Sequence, residues 1–225
     1  MVPASTRDSA RPDVPAAGDA PTIAVRGLAL SRGGRRLFEG LDLTLAGGDA
    51  LVALGANGAG KTSLLRALAG LLRPDAGSIE ASGPAGPVVL PEAVHFVAHQ
   101  DALRSGLTVS ENLAFLRGLL GAGGGFAPDL ALEALGIGRL ADLPTGALSA
   151  GQRRRVSLAR LLVAPRPVWL LDEPTTALDA QGQATLAALI GAHRAQGGLV
   201  VAATHAGLAL PGARRLVLGR AEAAA

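Results

Sequence analysis

Gly55-Ala56-Asn57-Gly58-Ala59-Gly60-Lys61-Thr62 is the stretch that decides the fold, because it fits the phosphate-binding loop pattern G-x-x-x-x-G-K-[ST] at every fixed position. Residues 50–54 before it read as a short buried strand, and residues 62–72 after it have the apolar spacing of a helix. A strand, a glycine loop and a helix in this order surround a polyphosphate with backbone N–H groups and a helix N-terminus. We therefore expect an α/β fold with a nucleotide site along this loop.

Lys61 is the only lysine among the 21 basic residues of the chain. Its ammonium supplies a compact charge for the β- and γ-phosphates, and the hydroxyl of Thr62 can ligate Mg²⁺. A glycine-rich turn with a chance lysine is the alternative, and the flanking strand and helix argue against it. A phosphate loop alone also occurs in kinases, GTPases and recombinase-like ATPases. The residues predicted to contact ATP here are Gly55, Asn57, Gly58, Ala59, Gly60, Lys61, Thr62 and Ser63.

Residues 168–173 form an apolar run that ends in two carboxylates, Asp172 and Glu173. A strand that ends this way holds Mg²⁺ through the first carboxylate and places the second as the base for an attacking water. We predict these roles for Asp172 and Glu173. The alternative, in which both residues only cap the next element, is weak beside a phosphate loop. Trp169, in the same run, is predicted to be a core residue.

A second anion site is indicated by Leu148-Ser149-Ala150-Gly151-Gln152, which precedes three arginines and an apolar helical run. Ser149 and the amide of Gly151 would lie at the N-terminus of that helix. These residues are too far along the chain to belong to the first phosphate cradle. The motif resembles the signature sequence of ABC transporter ATPases. The resemblance implies a head-to-tail homodimer in which Ser149, Gly151 and Gln152 of one subunit close over the ATP bound by the other.

The same resemblance assigns roles to three residues that follow apolar segments. Gln100 corresponds to the glutamine that senses Mg²⁺ and the attacking water. Asp179 corresponds to the residue that communicates across the dimer, and His205 to the switch histidine that contacts the γ-phosphate. ATP and Mg²⁺ are the implied cofactors. The implied catalytic residues are Gln100, Glu173 and His205, and the implied metal-binding residues are Thr62, Gln100 and Asp172.

The fold that the resemblance implies is an ABC-type P-loop NTPase nucleotide-binding domain. It has a RecA-like core, an antiparallel β subdomain and a helical insertion. Members of this family usually stack the adenine on an aromatic residue in the early strand-turn region, and this chain has no tyrosine. Among the planar groups of residues 30–37, we predict that the guanidinium of Arg32 stacks on the adenine. Phe38 is predicted to be a core residue.

The remaining sequence predicts how the chain is organised. Residues 1–20 are predicted to be a disordered tail without the pattern of a secretory signal, and residues 21–225 a single domain with a helical subdomain at about 102–163. Residues 22–54 are predicted to alternate in short strands of an antiparallel sheet. Thr108-Val109-Ser110-Glu111 has the pattern of a capping box. No apolar stretch reaches the roughly 18 residues that a membrane span requires, so we expect no part of the chain to cross a bilayer by itself.

The charge composition argues against a nucleic-acid partner. The net charge is only +3, although the isoelectric point is about 10.8. Without tyrosine or cysteine, little buffers between histidine and arginine, so a small excess of arginine raises the isoelectric point. The arginines are scattered and form no long basic stripe. The absence of cysteine excludes disulfides and thiolate metal sites, which suits a reducing cytoplasm.

Further residues resemble the ATP-binding subunits of cytochrome c maturation systems, which belong to the ABC family. They lie at residues 97–100, 107–113, 148–161 and 197–205. The resemblance implies polytopic, haem-handling membrane subunits as partners and a location on the cytoplasmic face of the inner membrane. The neighbours of Gln100 that are apolar, Ala102, Leu103 and Leu107, are the predicted docking surface. The resemblance leaves open whether haem is the transported species and in which direction the cargo moves.

Two alternative functions stay open, another small exporter and a soluble ABC ATPase. The chain could drive another small exporter, for drugs or lipids. Soluble ABC ATPases that act on ribosomes carry two such domains in tandem, and those that act on DNA carry a coiled coil between the halves, whereas this chain has one copy and no heptad insertion. His95 and His99 invite an assignment as haem ligands, but the segment leads into Gln100, so ordinary packing is the favoured interpretation.

Overall fold

The computed structural model describes residues 20–121, 124–205, 208 and 210–219. The predicted tail therefore lies outside the described residues, except for Ala20. The strands are β1 (Thr22–Arg32), β2 (Arg35–Leu45), β3 (Ala50–Leu54), β4 (Ala76–Gly83), β5 (Gly86–Pro87), β6 (Val94–Val97), β7 (Val168–Asp172), β8 (Leu199–Ala203) and β9 (Arg214–Val217). The helices are α1 (Lys61–Leu68), α2 (Leu90–Ala93), α3 (Val109–Leu120), α4 (Pro128–Ala134), α5 (Ala150–Val163) and α6 (Ala180–Ala195).

Two sheets organise the chain, and their presence confirms the predicted α/β class. The first is antiparallel with the strand order β2-β1-β4-β5, and the second has the order β6-β7-β8-β3-β9 with parallel neighbours. The prediction that residues 22–54 all belong to an antiparallel sheet is wrong for β3, which pairs in parallel with β8 and β9. Its first four residues are all buried, which is typical of a strand covered on both faces rather than on one.

The helix after the phosphate loop is shorter than predicted. α1 ends at Leu68 and not at residue 72, because Gly70 adopts φ +71° and reverses the chain. The amide of Leu71 closes the turn on the carbonyl of Arg66 at 2.8 Å. The Leu71 side chain, which lies beyond the end of the helix, is 65% exposed.

Helices α3, α4 and α5 lie in the segment predicted as the helical subdomain at about 102–163. The capping box at the start of α3 is confirmed, since the Thr108 hydroxyl accepts from the amide of Glu111 and the Glu111 carboxylate accepts from the amide of Thr108. Residues 102–107 are not helical. The boundaries of a helical subdomain and a single domain over 21–225 stay predictions.

The carboxyl ends of the parallel strands position the site. Parallel strands end at one edge of their sheet, and the loops after β3, β6, β7 and β8 carry the phosphate loop, Gln100, Glu173 and His205 respectively. The core lies on both faces of this sheet. One cluster includes Trp169, which is 1% exposed as predicted, and the other lies between the two sheets with Phe38 packed at its margin. Among the described residues, no helix is long and apolar enough to cross a membrane.

Candidate nucleotide site

A cavity of about 680 Å³ opens at this edge of the parallel sheet. It collects side chains from the phosphate loop, from the loops after β6, β7 and β8, and from the end of β1. Most of the residues predicted for the first half of the site line it. Those residues are Arg32, Asn57, Gly58, Gly60, Lys61, Thr62, Ser63, Gln100, Asp172, Glu173 and His205.

The phosphate loop is shaped by two glycines that no other residue could replace without strain. A Cβ atom on Gly55 would lie 2.6 Å from the carbonyl oxygen of Leu218. Gly60 adopts φ +100° directly before α1, and a Cβ atom there would approach Leu37 and Phe38 at 3.1 and 3.3 Å. Gly55 and Ala59 are not among the cavity-lining residues. Their contribution is to the shape of the loop, where the Ala59 Cβ packs beside Gly55.

The backbone of the phosphate loop holds the side chain of Lys61 in place. Its Nζ donates to the carbonyl oxygens of Gly55 at 2.7 Å and Ala56 at 3.1 Å, and the residue is only 7% exposed. An ammonium group has three donors, so one is left to point into the cavity. Lys61 is also the first residue of α1, where the helix dipole favours an anion. The arrangement is suited to a phosphate.

Thr62 and Asp172 form the oxygen pair that fits Mg²⁺. The Thr62 hydroxyl donates to Asp172 Oδ2 at 2.9 Å and lies 3.1 Å from Oδ1. Burial raises the pKa of the Asp172 carboxyl, the bond from Thr62 opposes the rise, and the neighbouring Glu173 adds to it. A buried carboxylate with one hydroxyl donor has unused acceptor capacity, and hard cations prefer such oxygen ligands. The chemistry of the two groups fits Mg²⁺.

Glu173 is fixed on three sides. Its backbone has φ +46°, an uncommon conformation for a residue with a side chain. One carboxylate oxygen accepts from the amide of His205 at 3.0 Å and lies 2.9 Å from His205 Nδ1. The other accepts from the hydroxyl of Thr204 at 3.2 Å. The carboxylate is thus oriented by the segment after β8, with 14% of the side chain accessible to the cavity.

Gln100 and Arg32 are exposed and line the same cavity from opposite elements. His99 and Arg66 also line it, and sequence reasoning did not assign either residue to the site. β6 ends at Val97, so His99 lies beyond this strand and His95 within it. His95 lies inside the protein, where its Nε2 donates to the carbonyl of Ala164, and burial lowers its pKa to about 3.

The signature residues lie in a different cavity, of about 370 Å³. Ser149 caps α5 in a second capping box, with its hydroxyl accepting from the amide of Gln152 at 3.2 Å. Asp179 caps α6, because its carboxylate accepts from the amide of Gly182 at 2.8 Å. The same carboxylate also accepts from Arg155 at 2.5 Å, and both bonds lower its pKa. Ser149, Gly151, Gln152 and Asp179 all line this second cavity, together with Arg139 and Arg155, among others. Within one chain the two sets of predicted residues are not brought together.

Arg154 is a further residue at the nucleotide site that no sequence motif marks. It lies in α5 between two other arginines, and its guanidinium bonds to the segments that carry both carboxylates and Gln100. Three consecutive arginines at a helix surface look alike in a sequence. Only tertiary structure distinguishes the buried one, because α5 packs against β6 and Arg154 bonds to residues at the end of β7.

Comparison with known proteins places the chain in a family. The family model described as ABC transporter matches residues 38–176. The model thus spans the phosphate loop, the Gln100 loop, the signature motif and both carboxylates. Among solved structures, a putative ABC transporter ATP-binding protein from Pyrococcus furiosus has the same fold, with a TM-score of 0.75 at 23% identity, over 88% of this chain and 97% of that one.

Curated relatives are closer in sequence. The cytochrome c biogenesis ATP-binding export protein CcmA of Rhodopseudomonas palustris (strain HaA2) is 55% identical over 82% of this chain and 92% of its own length. The protein of that name from Nitrobacter winogradskyi is 54% identical over 87% of this chain and 96% of its own length. An ABC family match over more than half of the chain and identities of this size confirm an ABC-type ATPase that binds ATP. The chain belongs to the ABC transporter ATP-binding proteins, and within them to the CcmA family.

Proposed function

We propose that this protein is the ATP-hydrolysing, energy-coupling subunit of an ABC export complex for cytochrome c biogenesis and haem export. It works as a head-to-tail dimer docked on polytopic membrane subunits at the cytoplasmic face of the inner membrane. The observation that carries the purpose is the identity of more than 50% over nearly the whole length of relatives that bear the CcmA name. That name favours cytochrome c biogenesis over drug or lipid export and over work on ribosomes or DNA.

The dimer is supported by the separation of the two cavities. One holds the phosphate loop and both carboxylates, and the other holds the signature helix N-terminus and Asp179. The two cavities share no lining residue, so an ATP whose γ-phosphate lies in the first cavity does not fill the second cavity of the same chain. A second copy, turned head to tail, brings Ser149 and Gly151 over the nucleotide of its partner and repeats the contact at the other site. Each ATP is then enclosed by two chains.

The proposed mechanism assigns one task to each residue. Lys61 and the loop amides hold the β- and γ-phosphates, and Arg32 stacks on the adenine. Mg²⁺, when bound through Thr62 and Asp172 near Gln100, neutralises charge on the phosphates. Glu173 accepts a proton from the attacking water, and His205 donates a hydrogen bond to the γ-phosphate. Glu173 and His205 are in contact, so the base and the phosphate contact are positioned together.

The proposed docking surface is a groove between the Gln100 loop and helices α3 and α5. Its lining includes Ala102, Leu103, Leu113, Phe115, Leu116 and Val156. Leu107, which the sequence assigned to the same surface, does not line it and is half-buried. Phe115 is 46% exposed, and Arg104 lies 4.3 Å above its ring. An apolar groove with an arginine at its rim fits a short cytoplasmic segment of a membrane subunit.

Glu173→Gln tests the proposal in two steps. In the purified protein, the loss of the base should lower ATP hydrolysis by about 10² to 10⁴ while ATP still binds. In cells that carry this variant, c-type cytochromes should lack covalently attached haem, whereas b-type cytochromes should remain and the apo-proteins should still be exported. Normal haem staining of c-type cytochromes would refute the assigned purpose. Unchanged hydrolysis in the purified variant would refute the assigned base.

A further inference from the structure

Arg154 is the most completely bonded charged side chain beside the nucleotide cavity. It is 3% exposed, and its guanidinium reaches five oxygen atoms. Nε donates to Pro174 O at 3.3 Å, Nη1 to Ala98 O at 2.8 Å and to Asp101 Oδ1 at 3.2 Å, and Nη2 to Asp172 O at 2.8 Å and to Glu173 O at 2.9 Å. A guanidinium has five N–H donors, so its bonding capacity is filled.

The five acceptors belong to two segments that the sheet does not join. Ala98 and Asp101 flank Gln100, and residues 172–174 carry the two carboxylates. The ladder between β6 and β7 ends at the pair Val97 and Leu171. Beyond that pair, Arg154 continues the connection with one planar group that reaches both segments.

The bond from Arg154 to the Glu173 carbonyl matters for catalysis because the Glu173 backbone has an uncommon conformation. A non-glycine residue at φ +46° persists only where its surroundings hold it. The Glu173 carbonyl accepts from Arg154 and from the amide of Thr176, at 2.9 and 3.2 Å, and the Glu173 amide donates to Ala203 O at 2.8 Å. Arg154 is the only side chain among these three anchors. It is also the anchor that reaches the Gln100 loop.

We propose that Arg154 is a positioning residue for ATP hydrolysis, which sets the placement of Gln100 relative to Glu173 by bonding the backbones on both sides of the cavity. It does not contact the phosphate loop, and ATP binding does not depend on it. A planar fork is required because the acceptors lie on two segments. A lysine, with a single nitrogen, cannot span them.

The test is steady-state hydrolysis and equilibrium ATP binding in Arg154→Met and Arg154→Lys. For both folded variants, we expect kcat to fall by about ten- to a hundredfold while the Kd for ATP stays unchanged, because small misplacements of reacting groups have effects of this size. A purely structural role would lower the melting temperature and the fraction of protein that binds ATP, but not kcat per binding site. Arg166→Met is the control, since Arg166 is partly buried and likewise bonds a backbone carbonyl, that of Leu120, without lining the cavity.

Asp101→Ala gives a second measurement should Arg154→Met fail to fold. It removes the carboxylate on the Gln100 loop and leaves the four other bonds of Arg154 in place, so kcat should fall less than in Arg154→Lys, again at unchanged Kd. A folded Arg154→Met with wild-type kcat would overturn the inference. If Arg154→Met does not fold, wild-type kcat in Arg154→Lys or Asp101→Ala would overturn it.

The inference rests on the proposed roles of Gln100 and Glu173, and Glu173→Gln in the same assay separates the two. If Glu173→Gln hydrolyses ATP normally, the proposed base is wrong and the Arg154 role falls with it. If Glu173→Gln is inactive and the Arg154 variants are fully active, the base stands and only the positioning role is refuted.

Discussion

Lys61 shows how a single side chain can serve both the loop and its ligand. Twenty of the 21 basic residues are arginines, and the one lysine lies where a compact ammonium bonds two carbonyls of its own loop. A guanidinium is planar and larger, and it does not fit between the Gly55 and Ala56 carbonyls in the same way. The position therefore selects for the size of the charged group as well as for its sign.

Lys61→Ala should nearly abolish ATP binding, and Lys61→Arg should bind poorly. Each lost charge-assisted hydrogen bond to a phosphate weakens binding by about 1.5 to 3 kcal/mol. The alanine variant also loses the two bonds that brace the loop. Titration with a fluorescent ATP analogue measures the Kd, and Arg73→Ala, at an exposed residue between α1 and β4, serves as a control. Wild-type affinity in either Lys61 variant would refute the phosphate-loop assignment.

At the scale of elements, local patterns predicted where strands and helices begin better than where they end or how they pair. The capping boxes at Thr108 and Ser149 both open helices, because the reciprocal bonds involve residues three apart in the chain. The end of α1 was missed, since the apolar period continues through Gly70 into an exposed turn. The pairing of β3 was also missed, because a strand's partners are set by tertiary packing.

The same distinction applies to the site. The sequence predicts the phosphate loop, both carboxylates and the signature because their chemistry requires fixed residue types at fixed spacing. His99, Arg66 and Arg154 are not predicted in this way, since they reach the cavity or its supports only through packing of α1, β6 and α5. No local spacing marks a residue whose partners lie 18 to 56 positions away in the chain.

Two matched helix caps allow the signature motif to be tested as an element. Ser149→Ala and Thr108→Ala each remove the hydroxyl of a capping box, and each should destabilise the protein by about 0.5 to 2 kcal/mol. Only the Ser149 cap lies in the cavity proposed to receive the partner's ATP. We expect similar shifts in melting temperature, but a loss of turnover in Ser149→Ala alone. Ser149→Arg should remove turnover completely, and equal turnover in all variants would contradict the head-to-tail site.

At the scale of the whole molecule, two features of the fold point away from the nucleotide. One is the docking groove beside the Gln100 loop. Arg104, at its rim, is tied to α3 by the Asn112 side chain, which bonds both the amide and the carbonyl of Arg104. The hydroxyl of Thr145, which follows α4 in the chain, donates to the same carbonyl. A segment seated in the groove would therefore press on the loop that carries Gln100. The other feature is the buried pair of histidines around Trp169.

Those histidines predict an acid-sensitive fold. Burial lowers the pKa of His95 to about 3 and that of His193, whose ring stacks on Trp169 at 3.9 Å, to about 4. In the unfolded chain both histidines have a pKa of about 6.5, so below that pH the unfolded chain binds more protons than the folded one. The stability present above pH 6.5 is therefore lost as the pH falls through 6.5 towards 4. Urea unfolding at pH 7, 6 and 5 measures the slope. His193→Phe keeps a ring beside Trp169 and should reduce the slope, whereas parallel curves would contradict the assignment.

The docking groove yields a prediction that separates the ATPase from its task. Phe115→Asp places a charge on the exposed, apolar wall of the groove, at a residue that does not line the nucleotide cavity. ATP hydrolysis by the isolated protein should be unchanged, because none of the proposed catalytic contacts involves α3. Copurification with the membrane subunits of the complex should be lost, and with it covalent haem attachment to c-type cytochromes.

Leu130→Asp, on α4 and also exposed, is the control outside the groove. Full copurification with Phe115→Asp would show that the membrane partner binds elsewhere, whereas a loss with both variants would show that any new charge on the helical segment disrupts assembly.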